Sequence, residues 1–491
     1  MFIAMEPVWV IFIITMYFGV LLLIGRLTSR NANNEAFFVG NRQSPWYVVA
    51  FGMLGASLSG VTFISVPGYV GHTQFSYLQL VMGYLLGYFV VANVLLPLYY
   101  RLNLTSIYTY LDSRFGFSSY KTGAAFFLVS RIVGASFRLF LVATVLQISI
   151  FDAWGVPFMV TVVVTILLIW LYTNRGGIKT IIWTDTLQTA AMLTAVVLTI
   201  FFITKQMSLS FVEMVRVVSE SEYSRVWFFD DWNDKRHFVK QFFSGAFITI
   251  VMTGLDQDMM QKNLSCRNLS DAKKNMYWYG FAFLPVNLIF LSLGVLLFVF
   301  ANQMGIAIPE QTDELFPIIA TQGYLPKVVS ILFILGIVAA AYSSADSALT
   351  ALTTSFTIDI LNPKNKTEIE LKSIRKKVHV GISILIALVI MLFRAINDQS
   401  VISALFTVAG YTYGPLLGLY AFGLFTPFVV LDKWVPTVAI LSPALCYLLS
   451  IYSETLFWGY KFGFELLILN GAITFIGLLL LSKRGLRVKK I

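Results

Sequence analysis

Charge is what this 491-residue sequence has least of: Asp, Glu, Lys and Arg together make up 12% of it, about half the roughly 25% of a soluble domain. A soluble chain of this length would form about three domains, each with a charged surface that these residues cannot supply. Most soluble enzymes, disordered chains and collagen-like chains are excluded on that ground. Cysteine is almost missing too. Cys266 and Cys446 stand far apart, one among basic residues and one in an apolar run, so there is neither a disulfide framework nor a metal-ligand spacing. Histidine is limited to His72, His237 and His379, all read as loop residues. No nucleophile–base pair accompanies them, and catalysis is not expected. The N-terminus lacks the basic flank and small-residue cleavage site of a signal peptide; the apolar run 7–25 is long enough to span, so it is read as a mature helix.

What fills the sequence is apolar: 58% hydrophobic residues, with 43 Phe, 23 Tyr and 10 Trp. Lipid is the solvent that suits such a chain, with aromatic side chains at both interfaces. A spanning helix takes about 20 apolar residues. Apolar runs between turn and charge clusters give thirteen of them, at 7–26, 45–71, 76–100, 120–150, 156–173, 181–204, 239–261, 275–302, 325–360, 377–396, 399–426, 434–453 and 463–482. The fold class is therefore an all-α integral membrane protein. The net charge of +10 would suggest nucleic acid in a soluble protein; here it reads as the Lys and Arg excess of cytoplasmic loops, with no nucleic-acid partner expected. With the N-terminus outside, inner loops carry 24 of the 35 basic residues and outer loops 9, while Arg131 and Arg138 fall within a span. That split places the chain in the cell membrane with the N-terminus outside and the C-terminus cytoplasmic. Segment 205–238 reads as a polar outer loop with a surface helix, and 361–377 as a solvated inner loop.

Several spans are interrupted by polar and small residues. Gly55-Ala-Ser-Leu-Ser-Gly60 breaks the second span, and Pro67-Gly68 follows. The cluster suits either a close helix–helix contact or unwound backbone lining a cavity. Thr253-Gly-Leu-Asp-Gln-Asp258 interrupts the seventh span, and two broken helices in corresponding halves point to a transport site. In the ninth span, Ala340, Ser343 and Ser344 share one helical face, and Ser343, Asp346 and Ser347 repeat that spacing one turn on. Hydroxyls, a carboxylate and freed carbonyls are what a hard monovalent cation needs in place of water. An intramembrane acid is costly and points to function; Asp346 is one, and Asp185 is another unless it caps a helix facing water. Arg131 and Arg138, seven residues apart, need a partner, either a protein carboxylate or an anionic substrate.

The segments GASLSGVTFISVPG (55–68), YYRLNLTSIYTYLDSRFG (99–116), GGIKTIIWTDTLQ (176–188), DQDMMQKNLSCRNLSDAKK (256–274), AAAYSSADSAL (339–349) and GYTYGPLLGLYAFGLF (410–425) together resemble the sodium:solute symporter family. The resemblance implies a single leucine-transporter-like domain over 1–491. Inverted five-helix repeats would occupy about 45–204 and 239–426, with accessory helices 7–26, 434–453 and 463–482. It also implies a sodium site made by the carbonyls of Gly55, Leu58 and Ala340 with the hydroxyls of Ser343 and Ser344. A second sodium site, present in some members, maps to Asp185, Ser343, Asp346 and Ser347, with Asp346 standing where some relatives have a hydroxyl. One or two Na+ ions are thus the expected cofactor.

For substrate, Ser59 and Thr62 match positions that hold a carboxylate in sialic-acid-type members, which also carry an Arg on the fourth span; Arg131 and Arg138 lie on either side of the expected turn. Gln79, Asp256 and Gln257 complete the candidate set. Val61 and Thr62 replace the polar or acidic pair of sugar-transporting members, and 99–116 with 410–425 resemble the branch moving monocarboxylates, iodide and vitamins. The expected function is sodium-coupled import of a small organic anion by a monomer in the lipid bilayer. A sodium-coupled sugar transporter is the alternative, and a transporter-like sensor a more distant one, since no output module follows the last span.

Overall fold

The computed structural model describes residues 7–28, 34–361, 366–396 and 401–487. In lipid every backbone N–H and C=O must find its partner within the protein, and the apolar runs close into helices. The first half holds α1 (Pro7–Thr28), α2 (Asn34–Val39), α3 (Trp46–Ser57), α4 (Gly60–Thr73), α5 (Ser76–Val90), α6 (Leu96–Arg101), α7 (Thr109–Arg114), α8 (Phe117–Leu146), α9 (Phe158–Gln206) and α10 (Phe211–Glu220). The second holds α11 (Phe238–Thr249), α12 (Gln257–Leu264), α13 (Leu269–Met304), α14 (Leu315–Thr321), α15 (Lys327–Ser355), α16 (Glu368–Ile396), α17 (Val401–Phe425), α18 (Val435–Ile451), α19 (Ser453–Leu456) and α20 (Leu466–Leu480). Strand β1 (Phe428–Val430) pairs antiparallel with β2 (Ser482–Arg487).

Among the described residues, nine helices are long and apolar enough to cross a membrane, two bent pairs pass the same test together, and Phe158–Leu171 and Leu466–Leu480 are shorter apolar helices. Each of the thirteen expected spans falls on one of these. The two bends are the two expected interruptions: α3 and α4 meet at 54°, α11 and α12 at 64°. At the first, Leu58 (ψ 21°) and Ser59 (φ −26°, ψ 175°) leave helical geometry. At the second, a wide turn over Ile250–Gly254 ends in Leu255 and an extended Asp256.

Glycine sets how closely the broken helix α3 lies on α9. A Cβ on Gly52 would fall 3.1 Å from the Asp185 Cβ, and one on Gly55 would fall 1.9 Å from Thr189 Oγ1 and 3.2 Å from the Thr189 Cα. The spans expected at 156–173 and 181–204 join in α9, which turns at Gly177 with φ 52°. A side chain there would also strike Phe37 at 2.5 Å.

Three expectations need correction. Segment 361–377 is not a solvated loop throughout: 362–365 lie outside the described residues, and α16 begins at Glu368. Its start is a reciprocal cap, in which Thr367 N donates to Glu370 at 2.9 Å and Glu370 N to Thr367 Oγ1 at 3.3 Å. Two of the three histidines are not loop residues, and His237, which is one, is buried. His72 lies in α4, His237 is buried at the start of α11, and His379 is buried inside α16 between Thr173 (3.2 Å) and Thr353 (2.9 Å). The basic tail expected at 483–490 is in strand β2 as far as Arg487, and 488–490 lie outside the described residues. The surface helix expected in 205–238 is α10, opened by a capping box between Ser210 and Glu213. Bonds from Ser210 hold the Glu213 carboxyl below the usual range.

Candidate functional site

At the α3–α4 break the backbone ladder has a gap. Leu58 N–H donates to Leu54 O at 2.9 Å and closes α3; Phe63 N–H donates to Ser59 O at 3.0 Å and opens α4. The carbonyls of Gly55, Ala56, Ser57 and Leu58 lie between those two bonds, at the electronegative end of α3. Helix α15 faces them. Its Ser344 Oγ donates to Ala56 O at 3.3 Å, and Ala340, Ser343 and Ser344 are all buried. Of the expected first-ion residues, Ser344 touches the end of α3 directly, while Gly55, Leu58, Ala340 and Ser343 are buried on the same two stretches of chain. They offer neutral oxygens sheltered from water.

Asp185, at 0% exposure, projects from α9 toward the same face of α15. Ser343 Oγ donates to Asp185 Oδ1 at 2.6 Å, and Gln188, with its amide turned to donate, reaches that oxygen at 3.3 Å. Asp346 and Ser347 are buried one turn along α15, and the Ser347 hydroxyl makes no hydrogen bond. The residues expected for a second ion are therefore buried on α9 and α15, but a further side chain is present. Lys262, from the half-helix α12, sets its ammonium 2.8 Å from Asp185 Oδ2. The reading of the sequence put Lys262 in a solvated inner loop. In the structure it is 1% exposed, because the whole of α12, polar as it is, is buried.

A cavity of about 80 Å³ opens beside the break, lined by Ser57, Ser59, Thr62, Arg131, Arg138 and a group of tyrosines that includes Tyr279. Tyr279 OH bonds Ser57 Oγ at 2.6 Å and receives Tyr88 OH at 2.8 Å. The two arginines differ. Arg131 is paired with Asp258 and stands 3.9 Å from Asp256. Both are buried and neither Nε makes a hydrogen bond, but among the described residues Arg138 takes part in no ion pair. Helix α8 is held at the break by Gly60, where a Cβ would touch Val142 at 3.0 Å and the Arg138 carbonyl at 3.8 Å.

The two inner helix starts differ in the same way. At α12, Asp256 Oδ1 accepts from Asp258 N at 2.9 Å and Met259 N at 3.4 Å, so a protein carboxylate already neutralises that N-terminus. At α4 the N-cap, Ser59, makes no side-chain capping bond. Of the remaining candidates, none lines the cavity. Gln79 donates to Arg236 O at 2.9 Å and accepts from Phe228 N at 3.4 Å, tying α5 to the loop before α11. Gln257 holds Ile107 N at 3.0 Å and Thr105 O at 2.8 Å. Asp256 caps α12 and accepts from Tyr413 OH at 2.5 Å. All three are structural ties in this arrangement. Two buried ion-pair partners were missed: Lys262, counted as loop charge, and Asp258, read only as part of a polar interruption.

The sodium:solute symporter family model matches residues 37–429, most of the chain. The chain belongs to the sodium:solute symporter family. The symporter is 25% identical over 424 residues to the sodium/sialic acid symporter NanT of Aliivibrio fischeri, covering 83% of this chain and 81% of NanT. It is 27% identical over 426 residues to mouse sodium-coupled monocarboxylate transporter 1, covering 82% of this chain and 65% of that one. Against the human sodium/iodide cotransporter it is 24% identical over 423 residues, with 83% and 64% covered; the chain thus spans just under two thirds of these two animal relatives. In fold it is similar to a Na+-coupled sialic acid symporter solved in a substrate-bound outward-open state, with a TM-score of 0.80, 20% identity, and coverage of 97% of this chain and 99% of the other. The nucleobase-cation symporter Mhp1 in a closed conformation follows at a TM-score of 0.55 and 12% identity, with 90% and 92% covered. The symporter is a multi-pass membrane protein of leucine-transporter-like architecture, from a family that couples sodium to small-molecule transport.

Proposed function

We propose that this symporter imports a small organic anion with sodium by alternating access. The observation that carries the reading is Arg138, a buried guanidinium on the cavity wall that among the described residues forms no ion pair, whereas Arg131 already has Asp258. A buried cation without a protein partner is costly, and an anionic substrate supplies one. The uncapped start of α4 beside it adds the positive end of a half-helix and the hydroxyls of Ser59 and Thr62. The cavity, about 80 Å³, is far below the roughly 300 Å³ at the lower end of ordinary ligand pockets, which favours a short monocarboxylate. Sialic acid, monocarboxylates and iodide, named for the relatives, are all anions.

Sodium sits between the two moving parts in this reading. The carbonyls of Gly55, Leu58 and Ala340 and the hydroxyls of Ser343 and Ser344 replace its water and hold α3 against α15. The carboxylate then bridges Arg138 and the start of α4, and the gates close over it. When the repeats, 45–204 and 239–426, rock relative to each other, α3 and α15 part, the ion loses half its ligands, and both cargoes leave. The lysine and arginine bias puts the N-terminus outside and the C-terminus in the cytoplasm. One chain suffices for the cycle, and nothing in it calls for nucleic acid.

The test is uptake into proteoliposomes of labelled short monocarboxylates, a sialic acid and a neutral hexose, with inward sodium or choline. Carboxylate uptake that needs sodium and disappears in Arg138→Ala is the expected result. Hexose uptake, uptake in choline, or an indifferent Arg138→Ala would overturn the reading.

A further inference from the structure

Residues Asp185, Ser343, Asp346 and Ser347 resemble a second sodium position, yet the structure puts a cation of its own beside them. Lys262 Nζ lies 2.8 Å from Asp185 Oδ2, and both side chains are buried, at 1% and 0% exposure. Asp185 is supplied with donors on each oxygen: the ammonium on Oδ2, and the Ser343 hydroxyl at 2.6 Å with the Gln188 amide at 3.3 Å on Oδ1. A sodium ion arriving at this carboxylate would have to displace the ammonium and leave it buried without a counter-charge. Breaking a buried pair by taking one partner away is strongly unfavourable, so the ion gains little by the exchange.

We propose that Lys262 is a tethered replacement for the second sodium, so that this symporter binds and couples a single Na+ ion. The proposal rests on the sodium-coupled reading and deepens it by fixing the ion count. It also gives Lys262 a positioning role at the first ion. Lys262 holds one oxygen of Asp185, the Ser343 hydroxyl donates to the other, and that hydroxyl's lone pairs remain for the sodium between α3 and α15. The lysine comes from α12, the serine from α15 and the aspartate from α9, so one ion pair and one hydrogen bond link three elements of the core.

The experiment counts 22Na+ bound at equilibrium by the purified full-length chain in detergent, with no organic substrate present. One ion per chain is expected for the wild type. Lys262→Met, which removes the charge and keeps the length, is expected to bind two, and Lys262→Met with Asp185→Asn to return to one. Two ions on the wild type overturn the proposal, as does a Lys262→Met chain that stays at one. If Lys262→Met does not fold, the wild-type count decides alone: one ion supports the proposal and two overturn it. No bound sodium on the wild type would instead sink the sodium-coupled reading itself, which separates the two failures.

Discussion

A serine hydroxyl has one proton and two lone pairs, and Ser343 and Ser344 direct theirs differently. Ser343 donates to Asp185 and Ser344 to a carbonyl of the broken helix. On the proposed sodium site, Ser344→Ala removes one neutral ligand together with the hydrogen bond to Ala56 O. A ligand of that kind is worth about 1.5–3 kcal/mol at a charged centre, so the sodium concentration for half-maximal uptake is expected to rise about tenfold or more at saturating substrate. An unchanged sodium dependence would count against the site. The arginines separate on stability. Arg138→Ala is expected to abolish anion uptake and leave the melting temperature near that of the wild type. Arg131→Ala strands the buried Asp258 and is expected to cost about 3–5 kcal/mol, seen as a clear drop in melting temperature. The sequence could not choose between the two, since residues seven apart share a helix face and they lie on either side of the expected turn. The choice lies in Asp258, which reaches Arg131 only through the tertiary fold. Cys266 shows the same limit. Its place among basic residues suggests exposure, but it is buried, with the thiol pushed up to about 12 by desolvation.

At the scale of the element, what hydropathy could see was legible and what it could not see was not. The break in the second span was readable from Gly55 to Gly60, because small residues cluster there, and it falls at Leu58 and Ser59. The half-helix α12 was cut short at 261 because Gln261, Lys262 and Asn263 look solvated. They are buried because α12 is enclosed by protein, with Gln261 donating to Phe38 O at 2.6 Å and Asn275 to Asn263 at 2.7 Å. Hydropathy measures transfer to lipid, and a half-helix packed inside a bundle never meets lipid. The close seat of α3 on α9 makes its own prediction. In Gly55→Ala the methyl group meets both the side chain and the backbone of Thr189, so relaxing one rotamer does not relieve it. Such overpacking costs about 1–3 kcal/mol and shifts the carbonyls that face α15. Lower thermal stability together with weaker sodium activation is the expected outcome, measured by melting and by uptake. Thr189→Gly in the same chain is expected to restore part of both.

Over the whole molecule, the all-helical membrane class followed from composition, whereas the charge bias mixed two kinds of residue. Lys262 and Arg114 entered the count as loop charges, yet Lys262 is paired inside and Arg114 is buried, donating to the carbonyls of Gly423, Thr426 and Phe428. The energetics of transport belong to this scale too. A tenfold sodium gradient supplies about 1.4 kcal/mol per ion, and 100 mV supplies about 2.3 kcal/mol for each net charge moved. One sodium with one monocarboxylate moves no net charge. Imposing a potassium diffusion potential of about 100 mV on proteoliposomes is therefore expected to leave carboxylate accumulation unchanged, while a second coupled ion would raise it many-fold. The ion pair between Lys262 and Asp185 also bears on where such a carrier can work. A cation fixed to the chain is always present and never has to be gathered from the medium, so as salt becomes scarce the loading of the carrier falls in proportion to sodium rather than with its square. Dilute surroundings, which would starve a two-ion relative, would slow this one far less.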